Sequence, residues 1–309
     1  MKIFGFYILI PFFILGASCS NSTNRDQKTL RWYKGNTHTH ATFSDENDTN
    51  DVPEIASWYE AAGYNFLVLS EHNDHVKGKK IFSHDEVQQS TSFIMISGNE
   101  LSNSRHHLAF GINHYIGDET SLQDGVNKTI AAGGIPILNH PQSPVEKATG
   151  ILAVKGLNHM EIANGGRPDD IPASEVLWDS VLSLPNGRLI YAVGADDNHY
   201  KKANVGRAWI MVRAPELTKE AIMDNFRKGN YYVTNGVLLN DYQADNKKIT
   251  IRSQNGDTIR FIGKFGTMLK TIPGKEGTYN INGDELYVRA KITGNGKAAW
   301  TQPVFISSK

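Results

Sequence analysis

What this 309-residue chain has little of narrows it first: it has one cysteine, no histidine among its last 110 residues, and no surplus of charge of either sign. A single cysteine leaves no internal disulfide to hold a fold together. Lysine plus arginine and aspartate plus glutamate both number 32, so the basic field that binds polymeric nucleic acid by counterion release is missing. Past residue 15 no apolar run is long enough to cross a bilayer. No repeat of fixed period and no low-complexity tract interrupts the chain. Hydrophobic residues at 39% and charged residues at 21% supply a packed core and exclude wholesale disorder. The length suits one barrel of ordinary size plus a smaller appendage. What stands out is histidine: all eleven lie between His38 and His199.

The amino terminus is a targeting segment and stays outside the fold argument. Lys2 gives a minimal positive region, and residues Ile3 to Leu15 form an apolar run too short to span a membrane comfortably. Leu15-Gly16-Ala17-Ser18-Cys19 then resembles the lipobox of bacterial lipoproteins. The resemblance implies a signal peptide over 1–19, a lipid on Cys19, and export to the bacterial cell envelope, facing the periplasm or the cell surface. Residues 20–32 read as a tether, polar from Ser20 to Lys28.

From Tyr33 to about Gly229, short apolar runs alternate with helical periodicity, the signature of repeated β-α units. Asp51 can cap a helix in which Ile55, Trp58, Tyr59 and Ala62 recur at three- and four-residue spacing, with Gly63 at its stop. Further helices are expected at 121–132, 174–184 and 218–228. Strands are expected at 66–70, 93–97, 108–112, 135–139, 160–162, 189–193 and 208–212. Polar residues follow the strands: His72, Glu100, His140, then Asp197 with His199. In a β/α barrel the carboxyl ends of the strands meet on one face, so these side chains would be delivered to one place. After residue 235 the pattern turns to β alternation with Asn255-Gly256, Pro273-Gly274 and Asn282-Gly283 turns, which predicts a small antiparallel β module over 236–309.

Gly35-Asn36-Thr37-His38-Thr39-His40 sets two imidazoles two apart at a strand end, both on one side. Such a pair can chelate zinc, iron or manganese. Asp45, Glu71-His72-Asn73 and Asp197-Asn198-His199 add carboxylates and further imidazoles. A carboxylate such as Glu100 can bridge two ions, and bridged ions can share an activated hydroxide.

This ordered set resembles the PHP (polymerase and histidinol phosphatase) superfamily of metal-dependent phosphoesterases. The matching segments are His38-Thr39-His40 with Asp45, Gly63 to Asn73, Gly98-Asn99-Glu100, His107-Leu108, Gly133 to Pro141, and Gly194 to His199. They cover about two thirds of the chain. Ala208-Trp209, Tyr231 to Gly236 and Ala299 to Pro303 look more narrowly like CehA/McbA-type metallohydrolases. The resemblance implies a distorted (β/α)7 PHP barrel with two or three divalent ions, Mn, Fe or Zn. Carried across by position, His38, His40, Glu100 and Asp197 hold one ion. Glu100 bridges to a second ion held by His107 and His140, and Asp45, His72 and His199 hold a third. The choice between His106 and His107 stays open, with His107 taken as the ligand. Glu71 and Glu46 depart from the family pattern without removing a ligand.

The implied chemistry is hydrolysis of a small phosphate monoester or diester by a metal-bridging hydroxide held by Glu100 and Asp197. Arg105, Lys201, Lys202 and Arg207 adjoin ligand segments and are candidate phosphate clamps, against a reading as solvated surface charge. Asn164 orients substrate or caps a loop. His75, His84, His114 and His159 read as structural or surface histidines, and Trp209 and Trp300 as core. Two other readings remain: a carboxylic or carbamate ester hydrolase of CehA/McbA type, and a non-catalytic surface-binding lipoprotein.

Overall fold

The computed structural model describes Met1 and residues 29–41, 52–72, 90–143, 145–199 and 203–306; Cys19, Asp45, His75, His84, Lys201 and Lys202 lie outside these. The chain opens with β1 (Arg31–Asn36), α1 (Val52–Ala61), β2 (Phe66–Leu69) and β3 (Ile94–Leu101). Next come β4 (His107–Phe110), α2 (Leu122–Ala131), β5 (Ile135–Leu138), α3 (Ala148–Ala153), β6 (His159–Asn164) and α4 (Ile171–Ser183). The series ends with β7 (Tyr191–Ala195), β8 (Trp209–Ala214), α5 (Lys219–Arg227) and β9 (Tyr231–Thr234). Local chemistry explains the helix ends. Ser121 Oγ accepts from Asp124 N to start α2, and Thr218 Oγ1 accepts from Ala221 N to start α5. Gly229, at φ 72°, supplies the left-handed stop after α5. Strands β2 and β5 are buried along their whole length, which is why they read as continuous apolar runs instead of alternating ones.

Strands β1, β2 and β3 are parallel, as are β5, β6 and β7. Between the two groups β4 runs antiparallel to both neighbours. The expected β-α repeat therefore breaks at β3, because the turn at 102–106 is far too short for a crossover helix and forces a hairpin. The architecture is mixed α/β, and among the described residues no continuous ladder closes β7 onto β1. β8 lies antiparallel along β1, and β7 meets β1 only beyond the ends of both strands. There Thr39 and Asn198 form one parallel bridge, with Asp197 N donating to His38 O and His40 N to Asn198 O, each at 3.0 Å.

The remaining strands are β10 (Leu239–Ala244), β11 (Lys248–Ser253), β12 (Thr258–Ile262), β13 (Met268–Pro273), β14 (Glu276–Asn280), β15 (Tyr287–Gly294), β16 (Lys297–Thr301) and β17 (Val304–Phe305). β16 pairs with β9, so β15, β12 and β13 extend the same 14-stranded sheet. β10, β11 and β14 form a second, three-stranded sheet. Ile249, Ile251, Ile259, Phe261 and Ile292 fill one core between them. Arg289, in β15, is buried against α4: its Nε and Nη2 reach the Asp179 carboxylate at 2.8 and 2.6 Å, and Nη2 reaches Glu175 at 3.1 Å.

Helix α5 plugs the end of the sheet at which β6 and β7 begin. His159 stacks on Phe226 with ring centroids 4.6 Å apart, and Phe226 stacks on Tyr231 at 4.5 Å. Burial pushes the His159 imidazole down to about 3, so it is neutral at neutral pH. A His159→Ala variant should lose about 2–5 kcal/mol of stability, the range for emptying a large core site. Its metal content should match the parent. Denaturant midpoints and elemental analysis read the two arms separately.

Candidate metal centre

Six strands that run the same way deliver side chains to one rim, five of them ligands. His38 and His40 follow β1, His72 follows β2, Glu100 lies in β3, His140 follows β5, and Asp197 and His199 follow β7. β6 contributes Glu161 and Asn164, and the hairpin before β4 contributes His106. The donor atoms meet. His38, His40 and Glu100 form one group, His38, His140 and Asp197 a second, His40, His72 and His199 a third, and His72, Glu100 and His106 a fourth; within each the donors lie within 4.8 Å of one another. His38 Nε2 stands 3.0 Å from His40 Nε2, 3.3 Å from Glu100 Oε2 and 3.4 Å from Asp197 Oδ1. His38, His40 and Glu100 are fully buried, whereas His72, His106 and His199 keep 16, 31 and 26% of their side-chain exposure. The cluster opens to solvent on that side.

The geometry tests whether these donors fit cations. Glu100 Oε2 is buried and accepts no aligned hydrogen bond, although His72 Nε2 lies 2.8 Å away and His38 and His40 are near. Four sets of imidazole nitrogens and carboxylate oxygens that converge this closely are placed as a cation's ligands are. Burial alone would suppress charge on His38, yet Asp197, Glu100 and Glu161 hold its pKa well above the ordinary imidazole value. Burial pushes His40 down to about 3, because its contacts with Asp197 and Glu100 do not offset the desolvation, to which the neighbouring His199 and His38 add. Against the same burial, His38 and the imidazoles of His106 and His140 keep Glu100 well below the usual carboxylate range. His38 together with His199 and His40 does so for Asp197. A largely buried pocket holding this much opposed charge is the environment in which a cation replaces protons.

The backbone is bent to serve the rim. His140 and Asp197 sit at φ 23° and 47°, in the left-handed region that non-glycine residues enter at a cost of order 1–3 kcal/mol. Asp196 points the other way, as strand alternation requires, and binds Tyr64 Oη at 2.7 Å and the amides of Arg207 and Ala208 at 2.7 and 2.9 Å.

Two assignments change. His107 is not with the cluster: its ring faces Gly125 of α2, Nδ1 contacts Arg105 O at 3.2 Å, and burial lowers its pKa. Its neighbour His106 takes the place, with Nδ1 3.1 Å from Glu100 Oε1. Successive residues of a strand face opposite sides, so only one of the pair could point inward. Asn164 is bonded within the protein: Nδ2 donates to Glu161 Oε2 at 3.0 Å and to Asp197 Oδ2 at 3.1 Å, and Oδ1 accepts from Gly166 N at 2.9 Å, which caps the loop after β6. Arg105 pairs through Nε with Glu146 at 3.1 Å and keeps Nη1 buried without an acceptor. Arg207 is exposed and packs on Gly165, next to Asn164. Trp209 is core, beside Tyr64 and Lys34, and His114 is exposed.

Glu161 was missed by sequence reasoning. It accepts from His38 Nδ1 at 2.8 Å and from His140 N at 2.7 Å, which fixes the His38 tautomer and turns Nε2 inward. A charged residue inside an otherwise apolar strand was the signal that could have found it. Glu161→Gln should weaken metal binding by about 10–100-fold, the usual effect of changing a ligand's orienting partner. Competition with a fluorescent chelator measures it.

No protein-family model matches the chain, and no curated protein matches it. Among solved structures it is similar to a two-domain protein from Bacteroides vulgatus that contains a predicted PHP-like metal-dependent phosphoesterase. The two share 16% sequence identity and superpose with a TM-score of 0.52 over 90% of this chain and 95% of the other. That likeness shows that the two chains share a fold.

Proposed function

We propose that the chain is a metal-dependent hydrolase of small phosphoesters, exported and held at the cell envelope by a lipid on Cys19. The carrying observation is the convergence of His38, His40, His72, Glu100, His106, His140, Asp197 and His199 on one rim, with Glu100 Oε2 buried among the His72, His38 and His40 rings. The donors are imidazoles and carboxylates, which suit Mn, Fe or Zn, and Asp45 is a further candidate ligand outside the described residues. Bound divalent ions supply Lewis acidity, which polarises a phosphoryl oxygen and acidifies water.

The chain's own residues do the rest. Glu161 accepts from His38 Nδ1, so a neutral His38 would turn the lone pair of Nε2 to the cluster. Asn164 holds the Asp197 carboxylate by Oδ2. The buried Arg105 Nη1 has a donor to give, and we assign it and Arg207 to phosphoryl oxygens. Nitrophenyl phosphate, bis-nitrophenyl phosphate and nitrophenyl carboxylate or carbamate esters, each assayed with Mn, Fe and Zn, test the reading. Metal-dependent cleavage of a phosphate ester is expected. Preference for the carboxylate or carbamate ester would favour the CehA/McbA-type alternative, and inertness with metal bound would favour a binding lipoprotein.

A further inference from the structure

The segment before the described chain enters at Thr29 and Leu30, and β1 runs away from that point toward His38 and His40. Because β2, β3, β5, β6 and β7 run in the same sense, every cluster ligand lies at one end of the sheet and the chain entry at the other. Arg31 to His40 cover about 30 Å at ~3.3 Å per residue. The entry end exposes Leu30 and Ile130, each at 47%, beside two grooves that share Tyr191.

Basic groups gather at this end, Arg188, Arg213, Arg227 and Lys228 along the grooves and Arg31 next to Leu30 in the chain. Arg213 and Arg227 are matched by Asp241 at 3.8 Å and Asp224 at 3.4 Å. Arg31, Arg188 and Lys228 have no carboxylate partner among the described residues, and Arg188 donates only to the carbonyls of Leu157 and Val154 and to Asn158 Oδ1. Exposed aliphatic side chains among unmatched cations suit the headgroup layer of an anionic bilayer. Residues 20–28 can span at most ~30 Å, so an anchor at Cys19 keeps this end close to the membrane.

We propose that the end carrying Leu30, Ile130 and Lys228 rests on an anionic phospholipid surface, with the metal rim turned away from it. This rests on the anchoring reading above. It follows that the phosphoesters reaching the rim are soluble ones and not headgroups of the bilayer that carries the protein.

The test uses the full, acylated chain in phosphatidylcholine vesicles with about one quarter phosphatidylglycerol, enough for an anionic surface. Fluorophores are placed at Asn230→Cys, at the entry end, or at Val145→Cys, 70% exposed in the loop after His140, and quenched by headgroup nitroxide lipid. Quenching at position 230 should exceed that at 145 by about threefold or more, given the strand length between the ends. Arg31→Glu with Lys228→Glu should bring quenching at 230 down to its level on pure phosphatidylcholine, while the chain stays on the vesicles. Retained protein with equal or greater quenching at 145 overturns the orientation alone, and unchanged quenching in the double variant overturns the charge contact. A chain that leaves the vesicles overturns the anchor and the orientation together.

Discussion

His38→Ala is expected to strip the cluster of metal and to cut hydrolysis by at least about 10³-fold, well past the ~10–100-fold effect of changing a group one layer out. His38 belongs to two of the four donor groups and touches Glu100, Asp197 and His40 at once. Its removal leaves Glu100 and Asp197 buried with a counter-charge gone, and both are now held ionised chiefly by His38. The carboxylates are then expected to take up protons where they had shared cations. Elemental analysis beside a rate assay reads the result. Retained metal with lost activity would move His38 from ligand to substrate contact, and retained activity would remove it from the site.

Arg289→Ala should destabilise the protein by about 3–5 kcal/mol, the cost of leaving buried carboxylates without their cation. Asp179 loses a two-point contact, Glu175 loses one of two cations, and Tyr287, which donates to Asp179 Oδ1 at 2.7 Å, loses its ordered acceptor. The pH dependence should change with it. Burial raises the Glu175 pKa, but Arg289 and Lys291 pull it below the ordinary glutamate value. The unfolded chain therefore binds a proton that the folded chain does not, so this contribution is complete above the unfolded pKa and drains away as pH falls through the folded one. The variant should show a flatter loss of stability on the acid side. Urea midpoints at a series of pH values measure both effects, and an equal slope in parent and variant would contradict this account of Glu175.

Much of the site was legible because its ligands follow strands that announce themselves. The run from Phe66 to Leu69 is apolar throughout, and β2 occupies it, with His72 just beyond. The helices at 121–132 and 218–228 were readable from their periodicity, and the structure caps them with Ser121 and Thr218. Strand direction was not legible. Nothing local to Leu108 or Phe110 says that β4 runs backward; the short turn after β3 decides it. His106 and His107 could not be separated, since a one-residue slip of register exchanges the faces. The pairing of Trp300 with Val233, which joins the last strands to the first sheet, and the contact between Arg289 and Asp179 connect residues remote in sequence, where periodicity carries no information.

The central claim is that these scattered imidazoles and carboxylates grip cations at one rim. Elemental analysis of the purified full chain, loaded with Mn, Fe or Zn and then desalted, tests it most directly. Two or three equivalents per chain are expected, roughly the content of a multi-ion hydrolytic site. A well-folded preparation that retains none would contradict it.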